Sequence, residues 1–466
     1  MGGGSGRARR IAYEVLAAVS ERDAYANLLL ASALRDRGLR GQDAALATEL
    51  TYGTLRNRAC YDAIIGMCAD RDLGKIDTPV LDVLRLGAHQ LLGMRIKAHA
   101  AVATTVDLAI AVAGRRPAGF VNAVLRRIAQ RDLESWLDVA APDRAADPVG
   151  HLSIRYSHPR WIVTAFADAL GESDDLRADG PAAGGLTETE AALAADQDRP
   201  DVTLAAVPGL ADPGELVDAG AKPARWSPFA AYLPGGDPGA LTAVAEHRAS
   251  VQDEASQLAV LALTRAETKG PDSEWLDLCA GPGGKARLLA GIGAERGAHL
   301  LAVDVHEHRA KLAAEALQRH HCARTVTADG TVPAWRSAAF DRVLADVPCS
   351  GLGSLRRRPE ARWRRDAASV TALGGLQREL LAFAIEAARP GGLVAYVTCS
   401  PHRAETREVL DDVLAGRTDL EVVDCPALLP EVPDLRCREP YSRYAQFWPH
   451  RQGTDAIFVA ILRRLG

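Results

Sequence analysis

Apolar residues recur every three to four positions through the first 140 residues, and this spacing predicts one helix after another. The segment ARRIAYEVLAAV places Ile11, Val15 and Val19 on one face, and VLDVLRLGAHQLLGM repeats the pattern. Glycine and proline mark the joins, as at Gly74 and Pro79. We therefore expect an all-α domain of six or seven helices at residues 1–145.

The pattern weakens between this region and Ser250. Residues 141–157 read as a polar connector, and PRWIVTAFADAL after it predicts a short helix. Residues 171–250 are rich in glycine, proline, alanine and acids, and within them VTLAAVPGL and WSPFAAYL predict strands. We expect a linker helix and a small α+β subdomain at residues 146–250.

After Ser250 continuous apolar strands alternate with helical stretches. This alternation predicts a parallel sheet covered by helices on both faces, an α/β Rossmann-like domain at residues 251–466. Ligands of such sheets bind at the carboxyl ends of the strands. The predicted strands are SEWLDLC, HLLAVDV, RTVTA, FDRVLADVP, LVAYVTC, LEVVDC and the closing DAIFVAILRR.

The charge of the chain is small in total and uneven in distribution. The 466 residues carry a net charge of −5. Residues 1–140 hold 19 lysines and arginines against 15 acids, whereas residues 171–220 hold 12 acids and two arginines. Residues 356–365 alone hold six arginines. Such a local basic patch, more than the mean charge, governs contact with phosphates.

The eight cysteines show neither a CxxC pair nor zinc-finger spacing, so they predict reduced thiols and no metal site. His306 and His308 form an HxH with no third ligand candidate and are expected at the surface. We find no secretory signal, and the longest apolar stretch, at 98–114, contains Asp107. A cytoplasmic protein without a membrane span is expected.

The segment DLCAGPGGKA reads as a strand, a glycine turn and the start of a helix. Its glycines allow a ligand to approach the backbone, and the helix N-terminus favours an anionic group such as a carboxylate or phosphate. Asp304 ends the next strand, where an acid commonly holds ribose hydroxyls, and Asp329 follows the third strand. A tight turn alone would explain the glycines, but both acids together indicate an adenosine ligand.

Two strand ends carry a cysteine followed by a serine, in DVPCSG with Asp346 and Cys349 and in VTCS with Cys399. A thiolate that adds to C6 of a pyrimidine makes C5 enamine-like, which permits methylation at carbon. Asp346 is placed to bind the N3 edge of the base. The motif chemistry indicates a cysteine-dependent pyrimidine methyltransferase and leaves open which cysteine attacks. The alternative, a small buried apolar residue, is retained for Cys60, Cys68, Cys322, Cys425 and Cys437.

An arginine-rich segment, Leu355 to Arg365, follows the Cys349 loop directly. Dense positive charge with a tryptophan suits a phosphate backbone and a stacked base, so RNA contact is predicted over a merely solvated charge run. The residues concerned are Arg356, Arg357, Arg358, Arg362, Trp363, Arg364 and Arg365.

With these motifs in place, the chain resembles the bacterial RNA cytosine-C5 methyltransferases of the Sun/Fmu (RsmB) type. The resemblance rests on five strings in the family's order: VQDEASQLAV, DLCAGPGGKA, AVDVHEHR, DVPCSGLGSLRRRPEARW and YVTCS. In front of them, ELTYGTLRNR and GFVNAVLRRI resemble the NusB-type RNA-binding domain. The glycine loop departs from the family's usual AAPGGKT at Gly281 and Ala286, and VTLAA stands where a basic strand is usual.

The resemblance implies S-adenosylmethionine as the methyl donor. It also implies that Cys399 is the nucleophile and that Cys349 assists release, with Asp346 and Lys285 as further catalytic residues. The implied cofactor-binding residues are Cys279, Ala280, Gly281, Pro282, Gly283, Gly284, Lys285, Asp304, Asp329 and Asp346.

The implied substrate is a cytosine in small-subunit (16S) ribosomal RNA, and the implied enzyme is a monomer. Two alternatives stay open on the sequence. One is the same chemistry on transfer RNA, and the other is a non-catalytic RNA-binding factor of ribosome assembly with a relic methyltransferase domain.

Overall fold

The computed structural model describes residues 4–22, 24–94, 96–172, 186–332 and 334–466. Residues 173–185 of the acidic stretch, whose role the sequence left open, lie outside this described part. The chain divides into two compact units. The first, the helical unit, comprises Met1–Asp198 and Leu355–Arg365, and the second, the sheet unit, comprises Arg199–Ser354 and Asp366–Gly466.

The helical unit contains helices and no strand among its described residues. The helices are α1 Gly4–Arg22, α2 Ala26–Asp36, α3 Gly41–Arg56, α4 Arg58–Ala69, α5 Thr78–Leu92, α6 Ala98–Ala113, α7 Ala118–Ile128, α8 Leu133–Ala140, α9 Pro148–Arg155, α10 Arg160–Leu170 and α11 Thr187–Ala195. Up to residue 140 the described residues form eight helices, where six or seven were predicted. The short α8 exists because the side chain of Asp132 caps it, accepting from the backbone N–H of Ser135.

Helix α5 forms the centre of this unit and packs against α1, α3, α4, α6 and α7. Its apolar residues, Val83, Leu84 and Leu86, are almost fully buried. The predicted polar connector at 141–157 is wrong in part, because it contains α9. Asp147 caps that helix by accepting from the N–H of Gly150, and Pro148 occupies its first turn. The helix predicted after the connector is confirmed as α10.

The sheet unit begins with a small antiparallel sheet, which confirms the predicted strands of the middle region. Its strands are β1 Val202–Ala206, β2 Lys222–Pro223, β3 Ala230–Leu233 and β4 Ala249–Val251, in the order β2-β3-β1-β4. Short helices, α12 Pro213–Asp218 and α13 Thr242–Ala245, connect them. Leu204, Leu216 and Ala231 lie in its own buried cluster.

The large sheet of this unit confirms the predicted α/β architecture. Its strands are β5 Glu274–Asp277, β6 His299–Asp304, β7 Ala323–Thr327, β8 Phe340–Asp346, β9 Ala388–Thr398, β10 Leu420–Val423, β11 Ala445–Gln446 and β12 Phe458–Arg464. The order is β10-β12-β9-β8-β5-β6-β7, with β11 paired to β12. Strands β5 to β9 pair in parallel, and β12 is antiparallel to β9 and β10. The carboxyl ends of the five parallel strands therefore share one edge.

Helices flank this sheet, and buried clusters lie on both of its faces. They are α14 Glu254–Arg265, α15 Gly284–Glu295, α16 Glu307–Leu317, α17 Ala367–Ala387, α18 Arg407–Leu414 and α19 Pro449–Gln452. None of the described helices combines the length and the apolar character that crossing a bilayer requires.

The two units divide the chain differently from the three predicted domains. The linker helix belongs to the helical unit, and the small sheet belongs to the unit that carries the large sheet. The larger difference is that Leu355–Arg365, although it follows the DVPCSG motif directly, belongs to the helical unit.

Candidate active site

The predicted site residues of the sheet unit lie at or just beyond the carboxyl ends of β5 to β9. Asp304 and Asp346 are the last residues of β6 and β8, and Cys399 follows β9 directly. Parallel pairing brings these ends together, because all five strands start at one edge of the sheet and end at the other. Asp329, two residues after β7, is exposed and accepts hydrogen bonds from Thr331.

The glycine loop after β5 is held closely against the neighbouring elements. Gly283 has φ +105°, and a Cβ atom there would lie 2.6 Å from Cβ of Ala316, so glycine is required. Asp304 accepts from the backbone N–H of Gly281 at 3.1 Å and of His306 at 2.9 Å. Asp304 at the end of β6 thus fixes the glycine loop. Helix α15 starts immediately after this loop.

Asp277, the last residue of β5, is a buried carboxylate directly before this loop. It is fully inaccessible to solvent, and among the described residues no side chain donates a hydrogen bond to its carboxyl group, although the backbone at Cys279 acts to lower its pKa. Burial and then the negative charge of Asp346 raise its pKa to about 8, against the opposing effect of Lys285. A buried acid directly before a glycine loop is available to a ligand.

Lys285 and Asp346 form an ion pair at the centre of the strand ends. The Lys285 Nζ atom lies 2.8 Å from Oδ2 of Asp346, which is half-buried. Burial lowers the pKa of Lys285, but the charge and hydrogen bond of Asp346 outweigh it and raise the pKa overall. The negative charge of Cys399 acts on Lys285 in the same direction. The lysine is therefore a fixed positive charge beside Cys399.

The two motif cysteines are in contact, with their Sγ atoms 3.0 Å apart. Both are half-buried and neither forms a disulfide. The pKa of the Cys349 thiol is raised well above its usual value, by its hydrogen bond with Cys399, by burial, and by the charges of Cys399 and Glu405. This arrangement favours a thiol at Cys349 and places the positive charge of Lys285 where it acts on Cys399.

The backbone around Gly353 holds the Cys349 loop against the end of β9. The N–H of Gly353 donates to the carbonyl of Cys399 at 2.9 Å, and its own carbonyl accepts from the N–H of Ala456 at 2.8 Å. A Cβ atom at Gly353 would overlap the carbonyl oxygen of Ala456 and lie 2.9 Å from that of Cys399. The two cysteine loops can approach each other only with glycine at this position.

Two family models and several curated relatives match the chain. The family described as 16S rRNA methyltransferase RsmB/F matches residues 261–463, and the NusB family matches residues 6–130. Ribosomal RNA small subunit methyltransferase B of Pseudomonas putida is 32% identical over 477 residues, which cover 98% of each chain. The chain belongs to the RsmB/F family. A methyltransferase of Mycobacterium tuberculosis is 52% identical over 460 residues, covering 98% of this chain and 96% of that protein.

Solved structures agree with the RsmB/F assignment at the level of fold. The crystal structure of PH0851 covers 99% of both chains with a TM-score of 0.75 at 20% identity. A methyltransferase homolog from Pyrococcus horikoshii covers 67% of this chain and 98% of its own, with a TM-score of 0.52 at 20% identity.

Membership in the RsmB/F family makes the chain an S-adenosylmethionine-dependent methyltransferase. The structure fits this cofactor, because the loop admits no side chain at Gly283 and leads directly into the N-terminus of α15, with the buried acid Asp277 just before it. The residues that would hold it are the predicted loop Cys279–Lys285 with Asp304, Asp329 and Asp346.

The predicted RNA contact of the arginine-rich segment is wrong for Arg356 and Arg362 in this structure. Both side chains are buried, and Arg362 is fully inaccessible to solvent. Burial lowers the pKa of Arg362 to about 9. Its guanidinium donates to the backbone carbonyls of Arg56 (2.9 Å), Ser157 (3.1 Å) and Asp196 (2.9 Å). Arg362 therefore completes the core of the helical unit, because helix ends and turns there leave carbonyl groups to be satisfied.

Other members of the segment also contact the helical unit. The guanidinium of Arg58 lies 5.3 Å from the ring centre of Trp363, and that of Arg364 lies 4.3 Å from the ring centre of Tyr25. Arg357 is half-buried, whereas Arg358 and Arg365 are exposed. RNA contact stays a prediction for these five residues, and the two exposed arginines are the ones placed for it.

Sequence analysis missed two acids of the site, Asp277 and Glu405. Asp277 stood at the start of the glycine motif, and its position at a strand end was the available signal. Glu405 accepts hydrogen bonds from Ser350, 55 residues earlier in the chain. The only hint of it was the serine that follows each motif cysteine.

Proposed function

We propose that this protein transfers a methyl group from S-adenosylmethionine to C5 of a cytosine in small-subunit ribosomal RNA, through a covalent adduct with Cys399. The observation that carries the proposal is the contact of two cysteine sulfurs at 3.0 Å, beside the Lys285–Asp346 ion pair. Chemistry at an exocyclic amino group would need neither thiol.

Cys399 is the nucleophile in this proposal, because the two sulfurs have different electrostatic surroundings. The ammonium group of Lys285 favours a thiolate at Cys399, whereas burial and Glu405 keep the proton on Cys349. The Cys399 thiolate adds to C6 of a cytosine that has left its stack. Asp346 shares the proton that N3 takes up as the ring accepts electrons.

The bound cofactor supplies an electrophilic methyl group for the activated C5. After transfer, a base removes the C5 proton and the C5–H electrons form the double bond to C6. The S–C6 bond breaks, and its electron pair returns to the sulfur of Cys399. The thiol of Cys349 donates a hydrogen bond to that sulfur and stabilises it as a leaving thiolate.

Ribosomal RNA is the proposed substrate because the name of the Pseudomonas putida relative specifies it and because the NusB family model matches the front of the chain. A relative from Vibrio cholerae carries the same name at 31% identity. Fold and family alone do not choose the nucleotide.

The decisive experiment follows radiolabelled methyl transfer to unmodified small-subunit ribosomal RNA, with transfer RNA as the comparison and nucleoside analysis of the product. We expect labelled 5-methylcytosine in ribosomal RNA. Cys349→Ala should accumulate an enzyme–RNA adduct that survives a denaturing gel, because release loses its hydrogen-bond donor. Cys399→Ala should abolish both adduct and methylation.

Other results would contradict particular parts of the proposal. Adduct formation by Cys399→Ala would reverse the roles of the two cysteines. Label in transfer RNA alone would overturn the substrate and keep the chemistry. If no label is transferred and the protein does not bind S-adenosylmethionine, the result would support the alternative of a non-catalytic assembly factor.

A further inference from the structure

The serines that follow the two motif cysteines meet beneath the active site. Their hydroxyl oxygens lie 3.3 Å apart, and both Ser350 and Ser400 are buried. Ser400 also accepts from the N–H of His402. A polar cluster thus lies directly behind the sulfurs and joins the two loops that carry them.

Glu405 is the acceptor at the centre of this cluster, and it is fully buried. Its Oε1 atom accepts from the N–H of Ser350 at 2.7 Å, and Oε2 accepts from the Ser350 hydroxyl at 2.5 Å. The side chain of Gln377 on α17 donates to Oε1 at 3.3 Å. Two of these three bonds fix the residue next to Cys349.

The backbone of Glu405 is anchored as well. Its carbonyl accepts from the hydroxyl of Tyr396 on β9 at 2.7 Å, and it ends a short turn, Arg403–Glu405, that the side chain of His402 caps. Glu405 therefore connects the end of β9, which carries Cys399, through its backbone carbonyl with the loop that carries Cys349 through its carboxylate.

A buried carboxylate is a costly way to connect two loops. Among the described residues no cationic side chain forms an ion pair with Glu405, so hydrogen bonds alone compensate its charge. Removing a carboxylate from water without a counter-ion is unfavourable, and a neutral glutamine would accept from Ser350 more cheaply. What the charge provides is a negative potential at Cys349, whose thiol it helps to keep protonated.

We infer that Glu405 is a positioning residue that holds the Cys349 thiol against Cys399 for release of the methylated base. This inference deepens the proposed function and depends on it for the release step. Glu405 has no contact with the reacting atoms and acts only through Cys349 and Ser350. Without it, Cys349 loses its fixed position beside Cys399, so its thiol no longer donates to the leaving sulfur and the S–C6 bond breaks more slowly.

The first test measures Cys349 itself and needs no RNA. Wild type and Glu405→Gln are alkylated with iodoacetamide over a range of pH, and modification of Cys349 is quantified by peptide mass spectrometry at low conversion. Glu408→Gln, an exposed acid one turn further on, is the matched control. The other ionisable groups that interact with Cys349, namely Cys399 and Tyr396, are the same in all three proteins.

We expect the pH profile of Cys349 in Glu405→Gln to move to lower pH, because the negative charge of Glu405 adds to the effects of the Cys399 hydrogen bond, burial and the Cys399 charge in raising the pKa of this thiol. The control should retain the wild-type profile. A higher plateau at an unchanged midpoint would mean that the loop has only become more accessible, and it would overturn the inferred coupling between Glu405 and Cys349.

The second test follows the adduct in the full-length enzyme with ribosomal RNA. Glu405→Gln and Glu405→Ala should accumulate adduct and turn over at least about tenfold more slowly, with unchanged affinity for S-adenosylmethionine. Wild-type turnover and adduct levels in both variants would overturn the inference. If Glu405→Ala fails to fold, the isosteric Gln variant decides.

The two proposals fail in distinguishable ways. If Cys349→Ala forms no adduct and the wild type transfers no methyl group, the proposed function is wrong, whatever Glu405 does. If Cys349→Ala forms the adduct and the Glu405 variants do not, only the role of Glu405 is wrong.

Discussion

Asp277 and Arg362 are both fully buried ionisable side chains, but their surroundings differ. The two terminal nitrogens of Arg362 donate to backbone carbonyls of the helical unit, whereas no side chain among the described residues donates to the carboxyl group of Asp277. The buried cation thus has acceptors for most of its donors, and the buried acid has no side-chain donor. We attribute the difference to function: Arg362 has a structural role, whereas the acid at the end of β5 is available to a ligand.

Asp277 predicts a pH-dependent gain in stability for the variant Asp277→Asn. Between the ordinary pKa of 3.8 and about 8, the unfolded chain has lost this proton and the folded chain keeps it. The free energy of unfolding of the wild type therefore falls as pH rises through this range. Asparagine does not titrate, so its advantage should grow by on the order of 3 kcal/mol from pH 5 to pH 8.

Denaturant unfolding of the cofactor-free protein at several pH values measures this difference. Asp329→Asn is the control, because Thr331 lowers the pKa of Asp329 and the residue is exposed. A constant difference between Asp277→Asn and the wild type across the pH range would contradict the prediction. Weaker binding of S-adenosylmethionine by the same variant would support a ligand role for this carboxylate.

At the scale of elements, the site is an arrangement of strand ends and the loops that follow them. The parallel strands and the glycine loop were predictable, because continuous apolar runs and a glycine-rich turn are local features of the sequence. The contact of Ser350 with Glu405 was not, since 55 residues separate them and nothing local indicates their pairing. Likewise, the number of arginines in 356–365 gives their charge and says nothing of which ones are buried.

Gly353 provides a test of how closely the cysteine loops must approach. In Gly353→Ala the new methyl group would overlap the carbonyl oxygen of Ala456, so the Cys349 loop must move away from β9. We expect methyl transfer to fall by more than about tenfold, a loss of roughly 1.4 kcal/mol in transition-state stabilisation. Affinity for S-adenosylmethionine, measured by calorimetry, should stay within about a factor of two of the wild-type value.

Gly375→Ala is the matched control for this variant. Gly375 lies within α17 and is exposed, and a Cβ atom there would meet no other group within 4 Å. In a helix this change should raise stability by about 0.5–1 kcal/mol and leave methyl transfer unaltered. Equal activity of the two alanine variants would show that the close approach at Gly353 is not required.

At the scale of the whole molecule, the helical unit is built from two separate stretches of chain. Residues up to Asp198 supply its helices, and Leu355–Arg365 is added from far along the sequence. Arg362 is the buried centre of that addition. The family match at residues 6–130 gave no sign of it, because the second stretch lies inside the match at 261–463.

Arg362→Ala should therefore destabilise the helical unit instead of weakening RNA binding specifically. Removing the guanidinium leaves several carbonyls without donors in a buried site, which should cost about 3 kcal/mol. Arg365→Ala, at an exposed position, should change stability by no more than about 0.5 kcal/mol. Thermal and denaturant unfolding of the full chain check both values.

RNA affinity measured at several salt concentrations completes this test. A loss of affinity in Arg362→Ala without a loss of stability would restore the RNA contact predicted from the sequence. A loss in Arg365→Ala alone would place that contact at the exposed end of the segment, with a smaller salt slope as its signature.

The two-part composition of the helical unit has a consequence for synthesis on the ribosome. The eleven residues that complete its core are translated only after Arg199–Ser354 of the sheet unit. The helices up to residue 198 therefore stay incompletely packed while more than a hundred further residues are synthesised. A gene fragment that stops at residue 198 would retain that unfinished state permanently. Exchanging this unit between homologous enzymes therefore requires two grafts instead of one.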